Sequence, residues 1–485
     1  MQSLVVGGIY SAYRILQEQL SDSVCVLEAT KRVGGRVYSV RNIGGKKDLT
    51  VDAGAYRFMP LEQPIITNLI ENGLKLPNRL YQPGVPDYRI ILTPEGQSAG
   101  FATYVEAMAH EAESMGLRIS FNSRVVQLAT TSTGSFTLLT ESGVTYTAEK
   151  VILNIATRPL HRLLQNSIMP QAEYSPALDV AWVQRATKLY LYYPEAWWLR
   201  LGLNNGSFEE TIPWAESIEV PIVARYHDGQ VKCPLKNGNG MTDYFYQQAN
   251  ELDIQGCYGW IQMVYTGDVE DPTTNITHES VDFMSDYMGS LTTQLNGATT
   301  DVPYALVNDT TYAGAHLLQS AHTRLVQYHA NLGLTVPSNA LPTEAFISLW
   351  DPSITWVGGA WHDMKRDEFY TATHVQETLK PFADLQLYVA DEAYSTVQGW
   401  SEGSLAMAEN ILRDYLGAGL PSWLPEDQWQ RANFSNPAFN DYEGVVQGGG
   451  GTDAPGLIPT EAPFASPTAP APAPAAAVAT NSIAG

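Results

Sequence analysis

Along the first 60 residues short apolar runs alternate with glycine-bearing turns and one amphipathic stretch. Ser3-Leu4-Val5-Val6 reads as a strand with Gly7-Gly8 as its turn, and the helix after it carries Ile9, Tyr13, Leu16 and Leu20 on a 3–4 spacing. Val24-Cys25-Val26-Leu27 is a second strand, rich in the β-branched residues that suit the inside of a parallel sheet. Thr50 to Phe58 is a short strand running into another glycine turn. Residues 61–73 have helical spacing, 74–98 show no clear period, and Tyr104 to Met115 is an amphipathic helix stopped by Gly116. Segments 117–121, 124–128, 136–139, 144–146 and 151–155 predict a strand and then a β-meander that returns to the main sheet.

From about 156 to 340 the pattern changes to longer, aromatic-rich elements, as an inserted domain would. Thr187 to Tyr193 alternates as a strand does and runs into Pro194 and the pair Trp197-Trp198. Residues 347–362 hold a further strand and the turn Gly358-Gly359-Ala360-Trp361-His362. Leu385 to Ala390 is a strand, 391–399 a loop, and 400–416 a helix. Regular patterning stops past 417, and the Pro/Ala-rich end from Asp453 has too little large apolar content to fold.

Composition narrows the function. With 485 residues, 44% of them hydrophobic and 10% aromatic, the chain can bury the core of a globular enzyme. A formal charge of −23 argues against nucleic-acid partners, whose phosphates it would repel. No apolar run approaches the roughly 18 residues needed to cross a bilayer. Strand-like sequence straight after Met1 leaves no room for a leader, and the sequons at Asn205, Asn275, Asn308 and Asn433 decide nothing about secretion. Three cysteines exclude a disulfide framework; with Cys25 inside a buried strand, at most Cys233 and Cys257 could pair.

The chemistry gathers around Glu28 to Arg36, E-A-T-K-R-V-G-G-R. Glu28 ends a strand about 20 residues after Gly7 and Gly8, where a dinucleotide fold puts the carboxylate that binds a ribose. Gly34 and Gly35 allow close approach, and Arg32 and Arg36 bring charge suited to a pyrophosphate. The upstream turn departs from G-x-G-x-x-G/A: counting from Gly7, the second glycine place holds Ile9 and the third Ala12. Either Ile9 intrudes on the phosphate site, or about three residues of a longer glycine turn are missing.

Three blocks resemble the flavin-containing amine oxidases, which include monoamine, polyamine and L-amino-acid oxidases. They are E-A-T-K-R-V-G-G-R at 28–36, V-D-A-G-A-Y-R-F at 51–58, and A-D-E-A-Y-S-T-V-Q-G-W-S-E-G-S at 390–404, where Asp391 replaces the usual glycine. The resemblance spans most of 3–415 and implies an α/β fold: a Rossmann-like FAD-binding domain with a discontinuous α+β substrate domain. The segments would be 1–60, 99–156 and 341–416 for FAD, 61–98 and 157–340 for substrate, and 417–485 as a mostly disordered extension. Cofactor residues would be Gly7, Gly8, Glu28, Ala29, Arg36, Gly54, Ala55, Tyr56, Arg57, Val125, Glu392, Gly399, Trp400 and Ser401. Among them, the amides of Gly54 to Arg57 would line the flavin ring and Val125 would pair with the adenine edge. The Gly358–His362 turn lacks the cysteine of covalently flavinylated relatives, so FAD would be held non-covalently, and no metal is implied.

By the same resemblance Lys188 would hold a water at the flavin, and Trp361 and Trp400 would form an aromatic slot for an uncharged amine. Arg57 resembles the arginine with which amino-acid oxidases clamp a substrate carboxylate. The implied reaction oxidises an L-amino acid to an imine, hydrolysed to a 2-oxo acid and ammonia, while O2 becomes hydrogen peroxide. Oxidation of amines or polyamines is the alternative, and a non-catalytic relative with an impaired phosphate loop is a third reading. His161, His362 and His374 receive no role; the side-chain preference, oligomeric state and compartment stay open.

Overall fold

The computed structural model describes residues 2–3, 6–45, 49–82, 85–169, 175–203, 210–215, 218–222, 230–238, 240–244, 251–269, 304–351, 358–364 and 372–432. The expected disordered tail, three of the four sequons and the middle of the 347–362 segment lie outside these residues.

The first layer begins with β1 (Gln2–Ser3), α1 (Val6–Gln17) and β2 (Cys25–Leu27). A hairpin follows, β3 (Ser39–Arg41) with β4 (Thr50–Asp52), and then a short helix α2 (Pro64–Asn68) whose last turn widens over Leu69–Gly73. The stretch without clear period is a second hairpin, β5 (Asn78–Gln82) with β6 (Val85–Ile91). Next come α3 (Thr103–Ser114), β7 (Arg118–Ser120), the antiparallel trio β8 (Val125–Thr130), β9 (Phe136–Thr140) and β10 (Thr145–Ala148), and β11 (Val151–Asn154). Helix α4 (Thr157–Gln165) leads into the second layer.

That layer is built on the long strand β12 (Ala181–Tyr193), followed by the single turn α5 (Trp197–Arg200). The strands β13 (Glu210–Ala215), β14 (Ile218–Ile222), β15 (Val231–Pro234), β16 (Met241–Asp243), β17 (Tyr258–Val269) and β18 (Tyr304–Asn308) precede helix α6 (Tyr312–Asn331). The chain then returns through β19 (Glu344–Trp350), β20 (Trp361–Met364), α7 (Ala372–Leu379) and β21 (Leu387–Val389), and ends in α8 (Ser401–Leu416) and α9 (Glu426–Ala432).

Two sheets organise these elements. The first has the order β21-β11-β1-β2-β7, and every pairing in it is parallel. It therefore joins strands from the start, the middle and the end of the sequence. The second is antiparallel, β16-β15-β17-β12-β19-β18, with β20 paired to the first residues of β12. Each sheet has its own apolar core. Helix α8 crosses the first core with every residue from Glu402 to Leu412 buried, and α1 packs against it.

Three expectations are corrected. Gly7 and Gly8 are not a turn before the helix; α1 already includes them, starting at Val6. A Cβ on Gly7 would sit 2.8 Å from Ala390 O and from Ser404 Oγ, so glycine is required there for packing onto the strand and helix of the C-terminal block. Cys25 is exposed, since it stands at the open end of β2. Helical structure does not stop at 417: α9 follows Pro425, with Trp429 only 2% exposed, and Trp423 packs edge-on to Tyr10 at 6.4 Å. The sequence signal of α9 was Pro425 followed by Glu426 and Asp427, a proline at the helix start with acids in the first turn.

Candidate active site

A cavity of about 880 Å³, its open mouth included, is lined by residues of both layers. Its walls come from Arg36–Val37 and Ala53–Arg57 of the first layer, Gln63 and Ile66 at the start of α2, Phe101, the β12 residues Ala186 and Lys188, Tyr265 of β17, Trp350, Ala360 and Trp361, and Glu392 with Gly399, Trp400 and Ser401. It thus gathers Arg36, Gly54, Ala55, Tyr56, Arg57, Lys188, Trp361, Glu392, Gly399, Trp400 and Ser401, all expected from sequence. Gly7, Gly8, Glu28, Ala29 and Val125 are not among its wall residues.

The Gly54 turn is held against the Gly34–Tyr38 loop by backbone bonds, Gly54 N to Tyr38 O at 3.2 Å and Ala55 N to Arg36 O at 3.1 Å. A Cβ on Gly54 would collide with Arg36 O, which explains the glycine. Two of the amides expected to line the ring thus donate to carbonyls of the chain itself. Lys188 projects from β12, between Tyr265 and Ser348 of its neighbouring strands. Its ammonium meets Gly54 O at 2.6 Å and Asp52 O at 3.0 Å, and lies 4.4 Å from the Tyr56 ring centre. The buried lysine head therefore reaches partners, as its burial demands.

Arg57 is 6% exposed, so it is not a loop-surface group. Its guanidinium lies over Tyr88 at 3.8 Å, Tyr56 at 4.8 Å and Tyr81 at 5.4 Å, a ring of π faces that favours a cation and holds it in one orientation.

A buried ionic cluster adjoins the cavity through Arg36 and Glu392. Arg36 bonds Glu392 Oε1 through Nη1 and Asp391 through Nη2, at 3.0 and 3.2 Å from its two oxygens. His362 Nδ1 is 2.7 Å from Glu392 Oε1, and its Nε2 takes the Thr157 backbone N–H at 3.3 Å. The Thr157 N–H assigns Nε2 the acceptor role, so Nδ1 carries the proton toward Glu392; Arg36 Nη1, itself a donor, lies 3.2 Å from Nδ1 and is held there by the same carboxylate. Burial works against a charge on Glu392, but Arg36, His362 and the Gly399 N–H hold its carboxyl down at about 2. His362, Asp391 and Glu392 have the spacing of a metal-ligand group, yet the Arg36 guanidinium is already the cation among them. His362 was missed because its role depends on contact with Arg36, 326 positions away. Its only local signal was its place beside Trp361.

Glu28 ends β2 as expected, and its Oε1 accepts from Thr30 N and Thr30 Oγ1, both at 2.8 Å. Burial raises its carboxyl to about 7, against these bonds. Arg32 turns back onto its own loop, stacked on Tyr38 at 3.7 Å.

A family model described as flavin containing amine oxidoreductase matches this chain over residues 6–100 and 87–235. The chain belongs to that family. No curated protein matches the sequence. As a flavin-containing amine oxidoreductase it has a flavin as its cofactor, FAD held non-covalently. The residues present fit such a group. Glu28 keeps Oε2 buried and without a partner among the described residues, an acceptor suited to a ribose hydroxyl. Helix α8 starts at the wall residues Trp400 and Ser401 with no side-chain cap, so its positive dipole end lies at the cavity. Arg36 offers less than expected, because both terminal nitrogens are spent on carboxylates and only Nε lacks a partner among the described residues. Asp391, the departure from the family's glycine, supplies the second of those carboxylates.

No helix among the described residues is long and apolar enough to cross a membrane.

Proposed function

We propose that this flavin-dependent amine oxidoreductase is an L-amino-acid oxidase. The observation that carries the reading is Arg57: a buried guanidinium in the cavity wall, framed by three tyrosine rings, on the same turn as the glycine loop. A carboxylate in the cavity would pair with it, orienting the Cα–N bond. Tyr56, Tyr265, Trp350, Trp361 and Trp400 form walls that exclude water and favour an uncharged amino group. Lys188, fixed by Gly54 O and Asp52 O, would hold a water beside the reacting atoms. Glu28, Arg36, Glu392 and the start of α8 would hold the cofactor. When bound, FAD supplies the acceptor for the hydride leaving Cα and passes the electrons to O2 as hydrogen peroxide. The imine left behind is hydrolysed to a 2-oxo acid and ammonia.

The test is Arg57→Ala in a peroxide assay, run on L-amino acids and on their decarboxylated amines. The loss of one charged pair, about 1.5–3 kcal/mol, should lower kcat/KM for amino acids by about 10- to 100-fold and leave amines nearly unchanged. Equal losses on both would favour an oxidase of simple amines, for which the aromatic walls would serve as well. A second reading, a relative that no longer catalyses, draws on α1 starting at Val6 and on Glu28 lying outside the cavity wall. A colourless preparation that cannot be reconstituted with FAD would make it the better account.

A further inference from the structure

Gln63 is the residue at the entry to α2, and only 1% of it is exposed. Its backbone N–H donates to Met59 O at 2.8 Å, while its side-chain Oε1 accepts the Met59 N–H at 2.9 Å. The second bond orients the carboxamide, because the Met59 N–H needs an acceptor and the oxygen must take that side. Nε2 therefore points away from Met59. It is buried, it finds no acceptor among the described residues, and Gln63 is part of the cavity wall. An amide N–H2 buried without an acceptor is costly, and a ligand oxygen would remove that cost.

The support under it is stiff. The next two helical N–H groups, of Ile65 and Ile66, are held by the carboxylate of Glu402 at 2.9 and 2.8 Å. Glu402 lies in the first turn of α8, directly after the wall residues Trp400 and Ser401. Arg57 is six residues before Gln63, and Met59 between them packs in one group with Tyr56, Tyr81, Tyr88 and Trp400. The turn 56–63 thus offers two donors of different kinds to one cavity, a guanidinium and a neutral carboxamide.

We propose that Gln63 is a specificity-determining residue, the second arm of a clamp on the substrate carboxylate. Arg57 supplies the charge and Gln63 Nε2 donates to a carboxylate oxygen; this rests on the amino-acid reading above. The arrangement selects for an acceptor at that spot and gives nothing to a simple amine.

The holoenzyme variants Gln63→Leu, Gln63→Glu and Arg57→Ala are compared with L-phenylalanine, with 2-phenylethylamine as its counterpart lacking the carboxylate, and with benzoate titrated against the flavin absorption. Gln63→Leu should raise KM for phenylalanine and Kd for benzoate by about 3- to 10-fold, the weight of one hydrogen bond, with the amine and the flavin content unchanged. Gln63→Glu keeps the shape and the Met59 bond but turns an oxygen to the cavity, so benzoate and phenylalanine should bind worse still while the amine does not. Discrimination by Arg57→Ala without any by the Gln63 variants overturns this inference and leaves the Arg57 reading standing. No discrimination by either removes both. Loss of flavin, or equal loss on both substrates, in the Gln63 variants would make the cofactor the partner of Nε2 and likewise overturn the clamp.

Discussion

Replacing His362 with leucine removes two hydrogen bonds that hold the ionic end of the cavity. The bond from Nδ1 to the charged Glu392 is worth about 1.5–3 kcal/mol, and the Thr157 N–H left without an acceptor costs about 1–3 kcal/mol more. His362 is wholly buried, so water does not replace either partner. His362→Leu should therefore lose about 3–5 kcal/mol. Two isosteres separate the contributions. Asparagine puts an N–H donor where Nδ1 stands and should restore the Glu392 bond, whereas glutamine puts an oxygen where Nε2 stands and should restore only the Thr157 bond. The assay is thermal unfolding of the loaded and the flavin-free protein, with flavin retained on desalting as the second readout. Stability should rank wild type first, then His362→Asn and His362→Gln, then His362→Leu. Flavin retention should be better in His362→Asn, because Glu392 and Arg36 are wall residues and Thr157 is not. Equal damage from Asn and Leu would refute the assigned tautomer, and no damage from Leu would refute the cluster's role altogether.

Two further outcomes follow from buried groups. Cys233 and Cys257, both fully buried, are joined across 24 residues in a disulfide, so Cys233→Ser with Cys257→Ser should cost about 3 kcal/mol in thermal or denaturant unfolding, and reductant should have little effect until the protein unfolds. Burial raises Glu402 to about 7 from an ordinary 4.5, so the folded state holds its proton longer than the unfolded chain and stability falls as pH rises from about 4.5 to 7, by about 3 kcal/mol from this group. Glu28, raised to about 7, and Asp52, raised to about 6, act in the same direction, whereas Glu392, depressed to about 2, loses its contribution as pH falls below about 4.5. Glu402→Gln should flatten the alkaline side of a melting-temperature profile; an unchanged slope would contradict the burial argument.

Much of this protein was legible in its order of residues. The strand before Glu28, the helix 103–114, the meander and the helix from Ser401 each rest on periodicity over a few turns or on one glycine, interactions that neighbours along the chain supply. The motif residues Arg36, Arg57, Lys188, Glu392 and Trp400 could be named because each sits in a short block whose chemistry is local, and the cavity brings them together. Tertiary structure decided what those residues touch. Arg36 meets Asp391 and Glu392 more than 350 positions away, His362 is fixed by Thr157 and Glu392, and the helix start that carries Gln63 is held by Glu402 from the far end of the chain. Gly7 left the phosphate turn for a packing contact once the strand of Ala390 and the helix of Ser404 pressed against it. Periodicity reports which face of an element is buried; only the folded chain determines which distant groups share that interior, because their attraction acts over a few ångströms and not along the sequence.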